Sequence, residues 1–188
     1  MSSHFSPEQL DVMSFARARA HLDSRLTRDV DGASLARLFN RLSDEACEPQ
    51  GLNSVSWHAQ AELRPGASGE LQPWLSLEVE CSVRLVCQRC LTPADISVSA
   101  QRWFRFVADE ATAAAEDDES DEDVLALEPR FNLIELVEDE LLMAIPLVPM
   151  HDVCPDVVPT SAGEEEFQAV LESRPSAFAA LAQLKKPT

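Results

Sequence analysis

The chain has 188 residues, of which 45% are hydrophobic, so it can bury a core without a disulfide framework. Its formal net charge of −18 and its pI near 4.4 disfavour autonomous binding to the phosphate backbone of a nucleic acid. The five cysteines are an odd set, the first residues are not apolar, and no run is long enough to cross a bilayer, which together predict a cytoplasmic protein without membrane contact.

The negative charge is uneven along the chain. Residues 1–42 carry six arginines against five acids, whereas residues 43–188 carry nine basic and 28 acidic side chains. Such a body is either simply soluble or attracts basic proteins, including ribosomal ones.

Helical arms are predicted at the N-terminus. Residues 9–26 suit a helix of moderate quality, with Ser6-Pro7 as the N-cap and first turn. After the turn signal at Asp31-Gly32, leucines at spacings of three and four favour a second short helix over 33–42.

The middle of the chain is predicted to form β-strands. Apolar and polar residues alternate over about 54–63, 74–87 and 95–107, and this register places Cys81 in the core. A short strand at 124–127 is expected to return to the same sheet. These strands predict a small antiparallel sheet or a partial barrel.

An acidic break separates the last two strands. Residues 109–123 hold nine acids and no base, a composition that does not repay the entropy of ordering. We therefore expect a disordered loop, which is either a solvated spacer or a docking site for a basic partner.

The strongest helix signal lies at 133–145. Asn132 and Glu135 form a capping-box-like start, one face is apolar, and Pro146 ends the helix. The opposite face, with Glu135 and Asp139, is either solvated or a site for a basic partner. We expect this helix to pack on the sheet in a single α+β domain over 1–188, with helical arms at both ends and a partly ordered tail over 156–188.

Four residues have the spacing of metal ligands. Cys87 and Cys90 form one pair with two residues between them, and His151 and Cys154 form another with the same spacing. Two such pairs from separate segments can close a tetrahedral zinc site. Neither pair has the glycine that commonly opens a zinc knuckle, so packing as small apolar groups and redox pairing of the thiols remain alternatives.

No catalytic signature is present in the sequence. The chain lacks Gly-x-Ser-x-Gly, a Walker loop, Gly-x-Gly-x-x-Gly and His-Glu-x-x-His, and it has only five glycines in all. The sequence therefore favours a protein that is not an enzyme.

Three segments carry a family resemblance. They read Leu-Val-Cys-Gln-Arg-Cys-Leu-Thr-Pro at 85–93, Leu-Val-Glu-Asp-Glu-Leu-Leu-Met-Ala-Ile-Pro-Leu-Val-Pro-Met-His-Asp at 136–152, and Pro-Ser-Ala-Phe-Ala-Ala-Leu-Ala-Gln-Leu-Lys-Lys at 175–186. In order and spacing they resemble the bacterial YceD family, called large ribosomal RNA subunit accumulation protein. The motif residues that the resemblance carries over are Cys87, Arg89, Cys90, Glu138, Asp139, Glu140, Pro146, Pro149 and His151.

The resemblance implies a role in the synthesis, processing or stability of 23S ribosomal RNA, without an established catalytic activity. Because an acidic body gains nothing from phosphate contacts, we expect it to act through a basic ribosomal protein or an rRNA-processing or rRNA-modifying enzyme. Contact with 23S rRNA would then be indirect, with Arg89, Arg102 and Arg105 as the few basic side chains available. The alternative is a ribonuclease or RNA-modifying enzyme that acts on the 23S rRNA precursor.

Overall fold

The computed structural model describes residues 5–27, 35–38, 40, 52–66 and 69–155. Within these ranges the chain forms an α+β fold with an open five-stranded sheet in the order β1-β2-β3-β4-β5. In chain order the elements are α1 (Val12–Ala18), β1 (His21–Thr27), β2 (Leu52–Pro65), β3 (Leu71–Val86), β4 (Pro93–Val107), α2 (Glu110–Asp117), β5 (Asp123–Ala126) and α3 (Leu133–Ala144). All of them belong to the compact unit Met1–Val153.

The predicted strands are found, but the sheet is mixed and open. Strands β1 to β4 pair as antiparallel neighbours, as the alternation predicts for β2, β3 and β4. The prediction of a fully antiparallel sheet or partial barrel is wrong at β5, which runs parallel to β4. The reason is the connection: α2 lies between the two strands and allows the chain to return in the same direction.

The core lies on one face of this sheet. Alternate residues of β2 and β3 are buried there, and Cys81 is among them at 6% exposure, as predicted. The apolar face of α3 contributes to the same core through Leu133, Val137 and Leu141. The side chain of Asn132 caps α3 by accepting hydrogen bonds from the backbone N–H groups of Ile134 and Glu135.

The N-terminal helix is much shorter than the predicted 9–26. Asp11 is its N-cap in place of Ser6-Pro7, and Arg19 ends it with a left-handed φ of 47°. The rest of that segment is β1, which pairs with β2 from His21 to Thr27. Pairing with a long neighbouring strand therefore overrides a weak local preference for helix.

Two further terminal predictions are only partly covered by the described residues. Residues 36–38 and 40 are helical, and Leu35 and Leu38 are buried, in agreement with a short helix within 33–42. The rest of that range and the whole of 156–188 lie outside the described residues. The single domain over 1–188 and the partly ordered tail therefore stay predictions.

The acidic segment 109–123 is not a disordered loop. Its helix α2 begins at Asp109, whose carboxylate accepts from the backbone N–H of Thr112 at 2.9 Å. The missing positive charge comes from Arg105 on β4, which is largely buried and pairs with Glu116 and Glu122. The Arg105 guanidinium, which lies outside the acidic segment, thus stabilises the segment through two ion pairs.

A search of the described helices finds none with the length and apolar character needed to cross a bilayer.

Candidate metal centre

The first two candidate ligands lie in the tight turn that joins β3 to β4. Cys87 follows the last residue of β3, and Pro93 begins β4. Two backbone hydrogen bonds close the turn: Cys87 N donates to the carbonyl of Thr92, and Leu91 N donates to the carbonyl of Cys87, each at 2.9 Å. This six-residue loop between paired strands fixes the position of both thiols.

The turn is built without glycine. Leu91 adopts a positive φ of 60°, the left-handed conformation that glycine takes without strain. Its side chain is 74% exposed. Leu91 therefore fills the conformational role of the missing knuckle glycine, and the lack of glycine in the sequence does not argue against a knuckle.

The other two ligands come from the segment after α3. Pro146 follows the C-cap residue of α3, and the chain then runs irregularly to Pro155. Gln88 N donates to the carbonyl of the buried Pro149 at 2.8 Å, and His151 N lies 3.5 Å from the sulfur of Cys87 as its donor. Main-chain hydrogen bonds thus dock this segment directly on the turn.

The four predicted ligands come together. The ligand atoms of Cys87, Cys90, His151 and Cys154 all lie within 4.8 Å of one another. Cys87 is fully buried and the other three are half-buried. In a tetrahedral site with Zn–S bonds of about 2.3 Å, neighbouring sulfurs are about 3.8 Å apart, so small side-chain shifts suffice to close the site.

The imidazole of His151 is oriented as a metal ligand would be. Its Nδ1 lies 3.4 Å from the sulfur of Cys90, and its Nε2 lies 3.0 Å from the carbonyl oxygen of Pro93. Because a carbonyl only accepts, Nε2 carries a proton, and Nδ1 is the ring nitrogen that faces the thiols. A backbone carbonyl that fixes the tautomer in this way is common behind metal-binding histidines.

The cluster favours a thiolate. Burial alone would raise the pKa of Cys87, but hydrogen bonds from the backbone N–H groups of Cys90, His151 and Arg89 lower it to about 5. The resulting thiolate in turn raises the pKa of His151 through its hydrogen bond to the ring. By contrast, burial raises the pKa of Cys81 in the core to about 11. The thiolate of Cys87 is the form that binds metals and also the form that reacts in redox chemistry, whereas a metal on Nδ1 of His151 would displace the proton that the raised pKa favours there.

The acidic motif residues lie elsewhere, on α3. Glu138 is 3% exposed; one of its oxygens accepts from the backbone N–H of Leu38 at 2.9 Å and the other from Arg37 Nε at 2.7 Å. Asp139 also accepts from Arg37, at 2.6 Å. These two acids hold Arg37 and Leu38 against α3, so Asp139, whose face was expected to be either solvated or a site for a basic partner, is engaged within the protein.

Glu140 contacts β4 of the same chain through Arg102. It is 3% exposed, and its Oε2 lies 3.0 Å from Nε of Arg102, which also donates to Asp123. Burial raises the pKa of Glu140, and the nearby Arg102 opposes that rise. Arg102, like Arg105, is thus paired within the protein, whereas Arg89 is exposed on the knuckle, 3.8 Å from the sulfur of Met150.

The roles of several residues at these sites were not predicted from the sequence. Arg37 meets its acidic partners about one hundred positions later in the chain, and no local pattern announces such a pair. The carbonyls of Thr92 and Pro93 act through the backbone, so their residue types carry no signal of their role. The Thr-Pro step after the second cysteine marks only a turn.

Comparisons with known proteins agree with the resemblance. The profile of the family described as "Large ribosomal RNA subunit accumulation protein YceD" matches residues 75–185. A protein of that name from Haemophilus influenzae is 35% identical over 119 residues, which cover 58% of this chain and 63% of the relative. The alignment thus spans less than two thirds of the relative's length. No solved structure matches the chain.

Proposed function

This chain belongs to the YceD family, and on that premise we propose that it is a cytoplasmic ribosome-biogenesis factor that supports the synthesis, processing or stability of 23S rRNA. We propose that it acts by binding a protein, either a basic ribosomal protein or an enzyme that processes or modifies rRNA. Catalysis by the chain itself is the alternative.

Charge is the observation that carries the protein-binding role. The chain has a net charge of −18, and the two arginines of β4 that sequence reasoning offered for RNA are engaged by acids of the same chain. Affinity for RNA depends on basic side chains that neutralise its phosphates. A protein surface with a large negative charge repels those phosphates instead. The same surface attracts basic proteins over long range.

The role is tested by deleting the gene and measuring the ratio of 23S to 16S rRNA. We expect the ratio to fall and to recover when the wild-type gene is restored. In parallel, purified protein is mixed with proteins extracted from large ribosomal subunits, and separately with 23S precursor. Salt-sensitive binding to a basic protein supports the proposal. An unchanged rRNA ratio contradicts it, and cleavage or modification of the precursor by the chain alone supports the enzymatic alternative.

We also propose that Cys87, Cys90, His151 and Cys154 bind one zinc ion. Three thiolates and one imidazole form a ligand set typical of structural zinc, with no ligand position left for a substrate. The buried Cys87 and the fixed tautomer of His151 support this role.

Metal analysis of the purified protein tests this site. We expect about one zinc per chain, lost in the double variant Cys87→Ser/Cys90→Ser and retained in Cys81→Ser, whose sulfur lies in the core. Protein that folds normally without zinc, in a preparation supplied with zinc throughout, would contradict the proposal.

A further inference from the structure

The apolar side chains that remain exposed are concentrated beside the metal centre. Among the described residues, seven large hydrophobic side chains are exposed, and five of them lie on the two segments that carry the ligands. We call these five the knuckle patch: Leu91 at 74% exposure, Leu147 at 92%, Val148 at 57%, Met150 at 44% and Val153 at 84%. Solvent-exposed apolar clusters of this kind mark interaction sites more often than chance.

The patch is held in place by the backbone. The hydrogen bond from Gln88 N to the carbonyl of Pro149 aligns the segment after α3 with the turn, and Arg89 contacts Met150 from the turn side. His151, within the same segment, points inward to the thiols. Inward ligands and outward apolar residues therefore alternate on one short segment, and a bound metal would fix the outward ones.

The charge around the patch favours a cationic occupant. Asp152 is exposed within the segment, whereas Asp95 on β4 is already paired with Arg84. Three thiolates, a neutral imidazole and Zn²⁺ would add a net charge of about −1 at the centre. The chain as a whole adds its −18. An apolar patch inside a negative field fits a protein segment with apolar anchors flanked by lysines or arginines.

From these observations we infer that the knuckle patch is the docking surface for a basic ribosomal protein of the large subunit. The inference rests on the proposed function and adds to it the place of contact. A second copy of this chain fits less well because two bodies of charge −18 repel each other, and RNA is disfavoured because the patch offers it one arginine among apolar side chains.

Site-specific photocrosslinking tests the surface. A benzoylphenylalanine is placed at Leu147 or Val153, and as a control at Leu71, which is 59% exposed at the start of β3. Each protein is irradiated with RNA-free proteins extracted from large ribosomal subunits. We expect a basic ribosomal protein to crosslink from positions 147 and 153 and not from 71. Crosslinks within the chain, to a second copy, or equally from all three positions overturn the inference.

Matched variants give the second measurement. Leu147→Ser/Val153→Ser is expected to weaken binding of the crosslinked protein roughly tenfold or more, whereas Leu71→Ser leaves it unchanged. Both variants should keep the zinc content and Tm of the wild type because all three side chains are exposed. If the double variant binds as the wild type does, the surface is wrong although the proposed function stands. If the wild type binds no ribosomal protein while gene deletion still lowers 23S rRNA, the basic partner itself is wrong.

Discussion

At the scale of single residues, Leu91 and Cys87 carry the unusual features of the turn. Leu91 holds a left-handed backbone conformation that costs a branched or bulky residue about 1–2 kcal/mol. Cys87 is fully buried next to three backbone N–H donors. Backbone geometry, rather than neighbouring charged side chains, therefore sets both the shape of the turn and the ionisation of its thiol.

Leu91→Gly is expected to stabilise the protein. Glycine removes the strain of the left-handed conformation, and this gain of about 1–2 kcal/mol exceeds the entropic cost of glycine, about 0.5–1 kcal/mol. Chemical denaturation should show a free energy of unfolding about 0.5–1 kcal/mol higher. The control, Leu71→Gly, lies in a strand with ordinary backbone angles and should lower it. A destabilised Leu91→Gly would mean that the leucine side chain makes contacts that its exposure does not suggest.

Cys87 is expected to ionise near pH 5 in metal-free protein. Thiolate absorbance at 240 nm should rise around that pH, vanish in Cys87→Ser, and persist in Cys81→Ser, since the pKa of Cys81 is raised to about 11. Because the folded pKa of Cys87 lies below the ordinary thiol value of 9.0, the thiolate stabilises the fold above pH 9, and this contribution is lost as pH falls from 9 to 5. Absence of the low-pH step would contradict the assigned hydrogen bonds.

At the scale of elements, the hydrophobic periodicity of the sequence predicts the strands and helices whose formation depends on neighbouring residues. The strands at 54–63, 74–87 and 95–107 and the helix at 133–145 follow from periodicity, and each is found within a few residues. The ligand pairs were predicted from spacing because each pair lies within a turn of chain. By contrast, β1 depends on pairing with a strand far along the chain, and α2 depends on Arg105, which lies just outside the acidic segment and so does not enter its composition.

Glu138→Ala is expected to release Arg37 and Leu38 from α3. The substitution leaves the backbone N–H of Leu38 without its acceptor and removes one partner of Arg37, at a cost of about 2–3 kcal/mol. Hydrogen exchange should accelerate at the Leu38 amide while the amides of β3 stay protected. Glu135→Ala, an exposed residue one turn earlier, should cost less than about 1 kcal/mol. Equal exchange in both variants would rule out the clamp.

At the scale of the whole molecule, surplus negative charge opposes compaction. The chain carries 33 acids and 15 basic side chains, and five arginines of the described residues (Arg37, Arg64, Arg84, Arg102 and Arg105) are used in internal ion pairs. These pairs organise individual elements but leave most of the repulsion in place. The same surplus that draws a basic partner therefore weakens the isolated protein.

Salt is accordingly expected to raise the Tm. Going from about 10 mM to about 200 mM KCl shortens the Debye length from about 30 Å to about 7 Å and screens the repulsion. Calorimetry should show a rise, and NaCl should match KCl because screening does not depend on the identity of the ion. A fall in Tm would show that the internal ion pairs outweigh the net repulsion.

The candidate metal centre brings together two stretches of chain that are 64 positions apart, Cys87 in a hairpin turn and His151 in the segment after α3. A bound ion would therefore act as a removable crosslink. By analogy with a disulfide, tying such a loop restricts the unfolded chain by about 4 kcal/mol. Removing the ion with a chelator would therefore lower the free energy of unfolding of the protein by a similar amount.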